Sequence, residues 1–297
     1  MASTEPTPAP SFELQGHSTY SDGELSPAQT VATAAQAGVE LFALTDHDSV
    51  GGVAEAVEAA AGTGLRLLAG VEISVVDPVA ADLHVCGYRF DPGDAALLAQ
   101  LEHSREDRER RAARMIEALQ ENGWSLNHEL LNQRALAGKT IGRPHLAEAV
   151  TGHADNAERL RREGLANPTE FLVAYLIEGK PAFREREAPS VAEAIALIHA
   201  AGGVAVWAHP FWDVESDAEV IATLERFVGV GLDGVEAFYV THTRAQTDLL
   251  VRRATELGLL TTGSSDFHGP HHRQFNRFRA FETYGHAPNL GPLLSSD

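Results

Sequence analysis

Histidines and acidic residues follow most of the short apolar segments of this chain. They are His17, Asp22, the run Asp46-His47-Asp48, Glu72, His84, His209, Asp266 and His268. Imidazole and carboxylate ligands together suit Mn, Fe and Zn ions, whereas an all-oxygen set would suit Mg or Ca. Two such ions roughly 3.5–4 Å apart stabilise in-line displacement at phosphorus. The pattern therefore predicts a multi-metal centre that hydrolyses phosphate esters.

Each of these residues also has a purely structural interpretation. A single histidine beside a strand is more often structural than a metal ligand. Either Asp46 or Asp48 could cap a helix that begins near Val50. Burial alone, however, gives no reason to place ionisable groups after several separate strands, where they would be desolvated unless paired.

The elements that must position these residues alternate between short apolar runs and helical patterns, which indicates a parallel sheet with crossover helices. The predicted strands are Phe12–Leu14, Leu41–Thr45, Arg66–Ile73, Asp82–Tyr88, Val204–Trp207, Val235–Tyr239 and Leu259–Thr262. They favour a (β/α) barrel whose strands all run in one direction. In such a barrel the strand ends meet at one rim, where barrel active sites lie.

Helix signals support these boundaries. Ser26 with Pro27 predicts a helix start, and Ser190 with Glu193 forms a capping box before another helix. Residues 93–189 differ, because apolar residues recur there at helical spacing and no strand is predicted. We expect a short disordered leader at 1–10, the barrel at 11–92 and 190–297, and a helical cap over the active-site mouth at 93–189. A separate helical domain without catalytic contact is the alternative.

Composition limits the classes of partner. The net charge of −19 argues against a long nucleic acid, because binding to a polyanion usually requires a basic face. A small phosphorylated substrate is compatible, since bound metal cations would invert the local field. No apolar run is long enough to cross a membrane. The N-terminal segment lacks the features of a signal peptide, and the single Cys86 fits a reducing cytoplasm, which is the expected location.

Seven segments carry a resemblance to a known family. In chain order they read HSTYSDG, LTDHD, GVEIS, HVCGY, GRPH, AHP and GSSDFHG. They resemble the motifs of the PHP family, named for polymerase and histidinol phosphatase, from about Phe12 to His286. The chain is most similar to the stand-alone branch with a helical insertion, which includes nucleoside 3′,5′-bisphosphate phosphatases and a 5′→3′ exonuclease acting on short RNA. The resemblance implies a distorted (β/α)7 TIM-like barrel and two or three divalent metal ions, with Mn, Zn or Fe the expected identities.

The resemblance also implies roles for individual residues. The implied metal ligands are His17, Asp22, His47, Glu72, His84, His145, His209, Asp266 and His268. Asp22, His268 and Arg143 are implied in catalysis, and Arg143, His268 and Arg273 in substrate binding. An arginine fork matches phosphate oxygens, although without the resemblance Arg143 would be interpreted as an ordinary surface residue.

One position departs from the family pattern. The first motif of the family reads His-x-His, whereas this chain has Gln15-Gly16-His17. A neutral amide oxygen is a weaker ligand than imidazole for these metals, so the ion at position 15 is expected to bind weakly. The alternative is that Gln15 coordinates adequately, or that water substitutes for it.

The predicted function is hydrolysis of a phosphate monoester on a small, nucleotide-like substrate, with metal-bound hydroxide as the nucleophile. Trimming of short oligonucleotides from the 5′ end is an alternative enzyme activity. A third possibility is a metal-binding protein that lost catalysis when Gln15 replaced a histidine. Retention of the other implied ligands argues against this third possibility.

Overall fold

The computed structural model describes residues 10–136 and 141–295, and it contains a sheet of seven strands in chain order. The strands are β1 (Phe12–Glu13), β2 (Leu41–Leu44), β3 (Arg66–Asp77), β4 (Ala80–Tyr88), β5 (Val204–Trp207), β6 (Gly234–Tyr239) and β7 (Leu260–Ser264). Each one overlaps a strand predicted from the sequence. Of the predicted leader, only Pro10 lies within the described residues.

The sheet closes on itself as a barrel. The Leu14 amide donates to the Gly263 carbonyl at 3.2 Å, and Gly16 bridges to Phe267 in parallel. Strand β1 therefore meets β7, so the first and last strands are joined. The predicted distorted (β/α)7 TIM-like barrel is confirmed.

One strand runs against the others. Strand β4 pairs antiparallel with both β3 and β5, whereas the remaining neighbours in the sheet are parallel. The prediction that all strands share one direction was therefore wrong. The reason is the connection, because Asp77 pairs with Ala80 across a two-residue turn, and a parallel pair needs a long crossover. His84 consequently reaches the rim from the middle of β4, opposite Ser74.

Eleven α-helices occur within the described residues. They are α1 (Pro27–Gln36), α2 (Val53–Ala60), α3 (Ala95–Glu121), α4 (His128–Leu136), α5 (Arg143–Thr151), α6 (Ala157–Glu163), α7 (Pro168–Tyr175), α8 (Val191–Ala200), α9 (Pro210–Asp213), α10 (Asp217–Val228) and α11 (Arg244–Leu257). The predicted caps at Ser26 and at Ser190 with Glu193 are present. Helix α2 follows Gly52 without a side-chain cap, so neither Asp46 nor Asp48 caps it.

The chain divides into two compact units. The first comprises residues 1–101 and 189–297, and the second comprises residues 102–188. Apolar residues from the strands and the surrounding helices form the core of the first unit, whereas the second packs its helices around residues such as Trp124, Leu146 and Phe171. Between residues 93 and 189, the described residues form helices and no strand. The role of this helical stretch as a cap stays a prediction.

Within the described part of the chain, no helix is both long and apolar enough to cross a membrane.

Candidate metal centre

The strand ends of the first unit bring histidines and carboxylates together in three overlapping groups. Within each group, one ligand atom of every member lies within 4.8 Å of those of the others. The groups are His17, Asp22, His47 and His268; His47, Glu72 and His84; and His17, Glu72 and Asp266. His209 joins them through Glu72. We call these eight residues the His/carboxylate cluster.

Glu72 lies at the centre of this cluster and is fully buried. Its Oε1 lies 3.0 Å from His84 Nδ1 and 3.0 Å from His209 Nε2. Its Oε2 lies 3.1 Å from His17 Nε2 and 3.5 Å from His47 Nδ1. One carboxylate therefore contacts four imidazoles, so each of its oxygens could serve a different ion.

Asp22 has the most exposed side chain of the cluster, and His268 lies beside it. Asp22 lies 3.7 Å from both His17 and His47, and 3.5 Å from His268 Nε2. His268 donates its Nδ1–H to the Asp266 carbonyl at 2.7 Å. This bond fixes the tautomer of the imidazole, so the lone pair lies on Nε2, which faces Asp22. A histidine that binds a metal through Nε2 requires this arrangement.

Two of the cluster residues have backbones in the left-handed region. His209 has φ 29° and Asp266 has φ 53°, and neighbouring Asp48 has φ 50°. Residues other than glycine rarely adopt positive φ, and such strain is concentrated at functional sites. It persists here because hydrogen bonds hold the same turns, among them Asp48 accepting from the Ser74 amide at 2.9 Å.

Several supporting residues were missed by the sequence analysis. The Glu236 carboxylate accepts from the His209 amide at 2.9 Å and from Ser264 Oγ at 2.6 Å. The Tyr239 hydroxyl donates to Asp266 Oδ2 at 2.8 Å. Glu236 is a charged residue within an apolar strand, and this unusual position was the feature of the sequence that could have identified it.

Asp46 belongs to none of the three ligand groups and does not cap α2, but it organises the first motif. Its carboxylate accepts from the Ser18 amide, the Ser18 hydroxyl and the Ser21 hydroxyl, each at 2.7 Å. These bonds fold the loop after His17 so that Asp22 returns toward the cluster.

Burial and the nearby carboxylates shift the pKa values of the cluster histidines in opposite directions. Burial lowers the pKa of His47 to about 4. Burial would also lower the pKa of His209, but contact with Glu72 outweighs it and raises that pKa to about 9. The pKa of His17 is likewise raised well above its usual value, because Asp266 and Glu72 outweigh its desolvation. The nearby carboxylates therefore favour positive charge at His17 and His209.

The cluster fits divalent cations by a second criterion. His17 Nε2, His47 Nδ1, Glu72 Oε2 and Asp266 Oδ1 are buried, and none has a hydrogen bond of proper geometry. Yet His17 Nε2 lies 3.0 Å from Asp266 Oδ1 and 3.1 Å from Glu72 Oε2. Buried polar atoms are almost always paired, so short separations without hydrogen-bond geometry indicate ligands arranged around an ion. The mixed donor set suits Mn, Fe or Zn.

The buried side chain of Gln15 also lacks hydrogen-bond partners. Its side chain is fully buried, and neither Oε1 nor Nε2 has a hydrogen-bond partner. An unsatisfied buried amide costs about 1–3 kcal/mol, so this residue is unfavourable in the metal-free protein. A ligand for Oε1 would remove part of that cost.

The remaining predicted site residues belong to none of the three ligand groups. Arg143 and His145 belong to the second unit, in the first turn of α5, and His145 Nδ1 accepts from the Gly142 amide at 3.0 Å. A metal would therefore have to displace this hydrogen bond or bind Nε2 in its deprotonated form. Arg273 is exposed in the loop after β7. Their roles in metal or substrate binding stay predictions.

Comparison with known proteins identifies the family. The model of the PHP domain matches residues 13–167, which is more than half of the 297 residues. The chain belongs to the PHP family.

Two curated relatives and one solved structure are similar to this chain over most of their lengths. A 5′-3′ exoribonuclease of Haemophilus influenzae is 34% identical over 87% of this chain and 90% of its own length. A 3′,5′-nucleoside bisphosphate phosphatase of Chromobacterium violaceum is 32% identical over 87% of each chain. A Bifidobacterium adolescentis protein described as a metal-dependent phosphoesterase is 29% identical, with a TM-score of 0.73 over 89% of each chain. These similarities confirm the predicted class, a metal-dependent phosphoesterase that uses divalent metal ions.

We predict that His209→Gln and Asp266→Asn each lower the bound metal content and reduce turnover at least about 100-fold, because each removes a proposed ligand while keeping its approximate shape. Elemental analysis and circular dichroism measure metal content and folding. His199→Gln is the matched control, since His199 contacts Asp233 on the exposed surface and should keep metal and activity. Wild-type metal content in either cluster variant would refute its assignment as a ligand.

We predict that Gln15→His raises affinity at the weakest metal position, since imidazole is the better donor. Gln15→Leu, which has no polar atoms, should stabilise the metal-free protein by about 1–3 kcal/mol and bind one ion more weakly than wild type. Calorimetric metal titration and urea unfolding of the apo-protein measure the two effects. Equal metal affinities for wild type and both variants would show that position 15 does not contact an ion.

Proposed function

We propose that this PHP enzyme hydrolyses a phosphate monoester of a small, nucleotide-like substrate such as a nucleoside 3′,5′-bisphosphate. The observation that carries the proposal is the His/carboxylate cluster, in which seven residues form three overlapping ligand groups. The bisphosphate phosphatase of Chromobacterium violaceum aligns over most of both chains. The net charge of −19 favours a small substrate over a long polyanion.

The proposed ligands are Gln15, His17, Asp22, His47, Glu72, His84, His209, Asp266 and His268 of the first unit, with His145 of the second. They would hold two or three divalent ions, with Mn, Zn and Fe as the candidates that suit these donors. When bound, such ions activate water at neutral pH and neutralise charge on the phosphate oxygens.

Asp22 and His268 are the proposed catalytic residues of the first unit. His17 and Glu72 are fully buried, whereas the side chains of Asp22 and His268 are 30% and 11% exposed, so the latter two can reach a substrate. His268 donates a hydrogen bond from Nδ1–H to the Asp266 carbonyl, which leaves Nε2 available to take or deliver a proton. A positioned imidazole of this kind typically contributes about 10²–10⁴-fold to the rate.

Arg143 is the proposed phosphate-binding residue of the helical unit, and Arg273 a second candidate. A guanidinium presents a planar fork of donors to phosphate oxygens. Arg143 occupies the first position of α5, where the positive end of the helix dipole also favours an anion.

The second candidate function is 5′→3′ removal of nucleotides from short RNA. It is favoured by the similarity to the exoribonuclease of Haemophilus influenzae, which covers 90% of that protein. The same cluster could serve a phosphodiester, because in-line displacement at phosphorus needs the same ions.

We expect the Mn²⁺-loaded enzyme to hydrolyse adenosine 3′,5′-bisphosphate with a kcat/KM at least about tenfold above that for a 5′-phosphorylated RNA of five nucleotides. Phosphate release and product chromatography measure both reactions, and Asp266→Asn controls for a contaminating activity. Preference for the RNA would replace the first proposal with the exonuclease. Turnover of neither, with metal bound, would exclude both substrates.

Arg143→Ala is predicted to raise KM for the bisphosphate about tenfold or more while the metal content stays unchanged, because loss of uniform binding appears mainly in KM. Arg143→Lys should recover only part of the affinity, since an ammonium lacks the planar fork. Arg162→Ala, on an exposed face of the same helical unit, is the control. Unchanged kinetics in Arg143→Ala would show that this arginine does not contact the substrate.

A further inference from the structure

Two aromatic side chains are exposed beside the cluster. Among the phenylalanine, tyrosine and tryptophan residues of the described part of the chain, Tyr20 and Trp212 have the largest exposed fractions, 46% and 50%. Tyr20 precedes Asp22 by two residues, and Trp212 follows His209 by three. Scattered exposed apolar residues are normal, but both of these lie next to proposed metal ligands.

The indole of Trp212 is held in place by other rings. Its centroid lies 5.6 Å from that of Phe275 and 6.5 Å from that of Tyr239. Phe275 and Tyr239 are themselves buried, so they cover one side of the indole and leave half of its surface open. We call Trp212, Tyr239 and Phe275 the aromatic wall.

The aromatic wall is connected to the proposed ligands at three points. The Trp212 amide donates to the His209 carbonyl at 2.8 Å. The Tyr239 hydroxyl donates to Asp266 at 2.8 Å. The ring of Phe275 lies 5.4 Å from that of His268. The open indole surface is therefore fixed relative to the site of phosphate chemistry.

We propose that Trp212 is the stacking surface for the base of the nucleotide whose phosphate is hydrolysed at the cluster. This inference rests on the proposed function and specifies what it recognises. A flat, neutral, half-exposed ring suits a base, because every base has an aromatic face and stacking tolerates different sequences. The many surrounding carboxylates would not repel an uncharged base, so the aromatic wall can bind the part of the substrate that carries no phosphate. Trp212 is thus a specificity residue for base-containing esters.

The test compares adenosine 3′,5′-bisphosphate with the corresponding base-free sugar bisphosphate, using the metal-loaded full-length enzyme. Trp212→Ala should raise KM for the nucleotide roughly tenfold, leave kcat within about twofold, and leave the base-free substrate unaffected. Trp212→Phe, which keeps a ring, should recover most of the loss. Val230→Ala, at another exposed apolar position, is the control.

Fluorescence provides a readout that does not depend on turnover. Trp124 and Trp207 are buried, so Trp212 is the tryptophan whose emission a bound base can quench directly. Adenosine, which carries no phosphate and therefore does not need the metal ions for binding, should quench the emission of the metal-free wild type and not that of Trp212→Phe, whereas ribose should quench neither.

Three outcomes separate this inference from the proposed function. Equal losses on both substrates in Trp212→Ala, or no loss on either, would overturn base stacking while hydrolysis of the bisphosphate stands. Efficient turnover of base-free esters with no turnover of nucleotides would overturn both. A loss confined to the nucleotide, together with quenching that Trp212→Phe abolishes, would support the stacking role.

Discussion

The site depends on a buried carboxylate that contacts four imidazoles. Glu72 is fully inaccessible, and His17, His47, His84 and His209 lie 3.0–3.5 Å from its oxygens. Buried charges are costly unless neutralised, so this arrangement requires either protons on the histidines or metal cations among them. The close carboxylates raise the pKa values of His17 and His209, which favours protons at these positions when no metal is bound. Metal binding must then displace them, which couples metal affinity to pH.

The barrel supplies the rigidity that this cluster needs. Its ligands come from the ends of β1, β2, β5 and β7 and from the bodies of β3 and β4. Positive φ angles at His209 and Asp266 turn these residues out of their strands, and Glu236 and Tyr239 hold the turned residues by hydrogen bonds. Ligands fixed in this way lose little conformational freedom when a metal or substrate binds, so the strain in the turns is offset by preorganisation.

The substrate would meet two chemically different surfaces at this rim. Carboxylates and imidazoles require cations and, through them, attract phosphate. The aromatic wall offers an uncharged surface beside His209, Asp266 and His268. A nucleotide has a matching division into a charged and an uncharged part. A strongly acidic protein can therefore act on a phosphorylated molecule without a basic surface, provided that the metal ions are in place.

The sequence by itself determined the strands, the barrel and the identities of the clustered residues, because alternating apolar runs and strand-end ligands are local patterns. It did not determine the direction of β4, because the predicted strands ended at Ile73 and began at Asp82, which left the two-residue turn between Asp77 and Ala80 unrecognised. Nor did it reveal that Glu72 touches His209, 137 residues away, or that Glu236 and Tyr239 support the ligands. Such contacts follow from the register of neighbouring strands and from backbone turns, which only the folded chain decides. Gln15 required both the sequence and the structure. The sequence showed that glutamine stands where the family pattern has histidine, and the tertiary structure showed that its buried polar atoms lack partners.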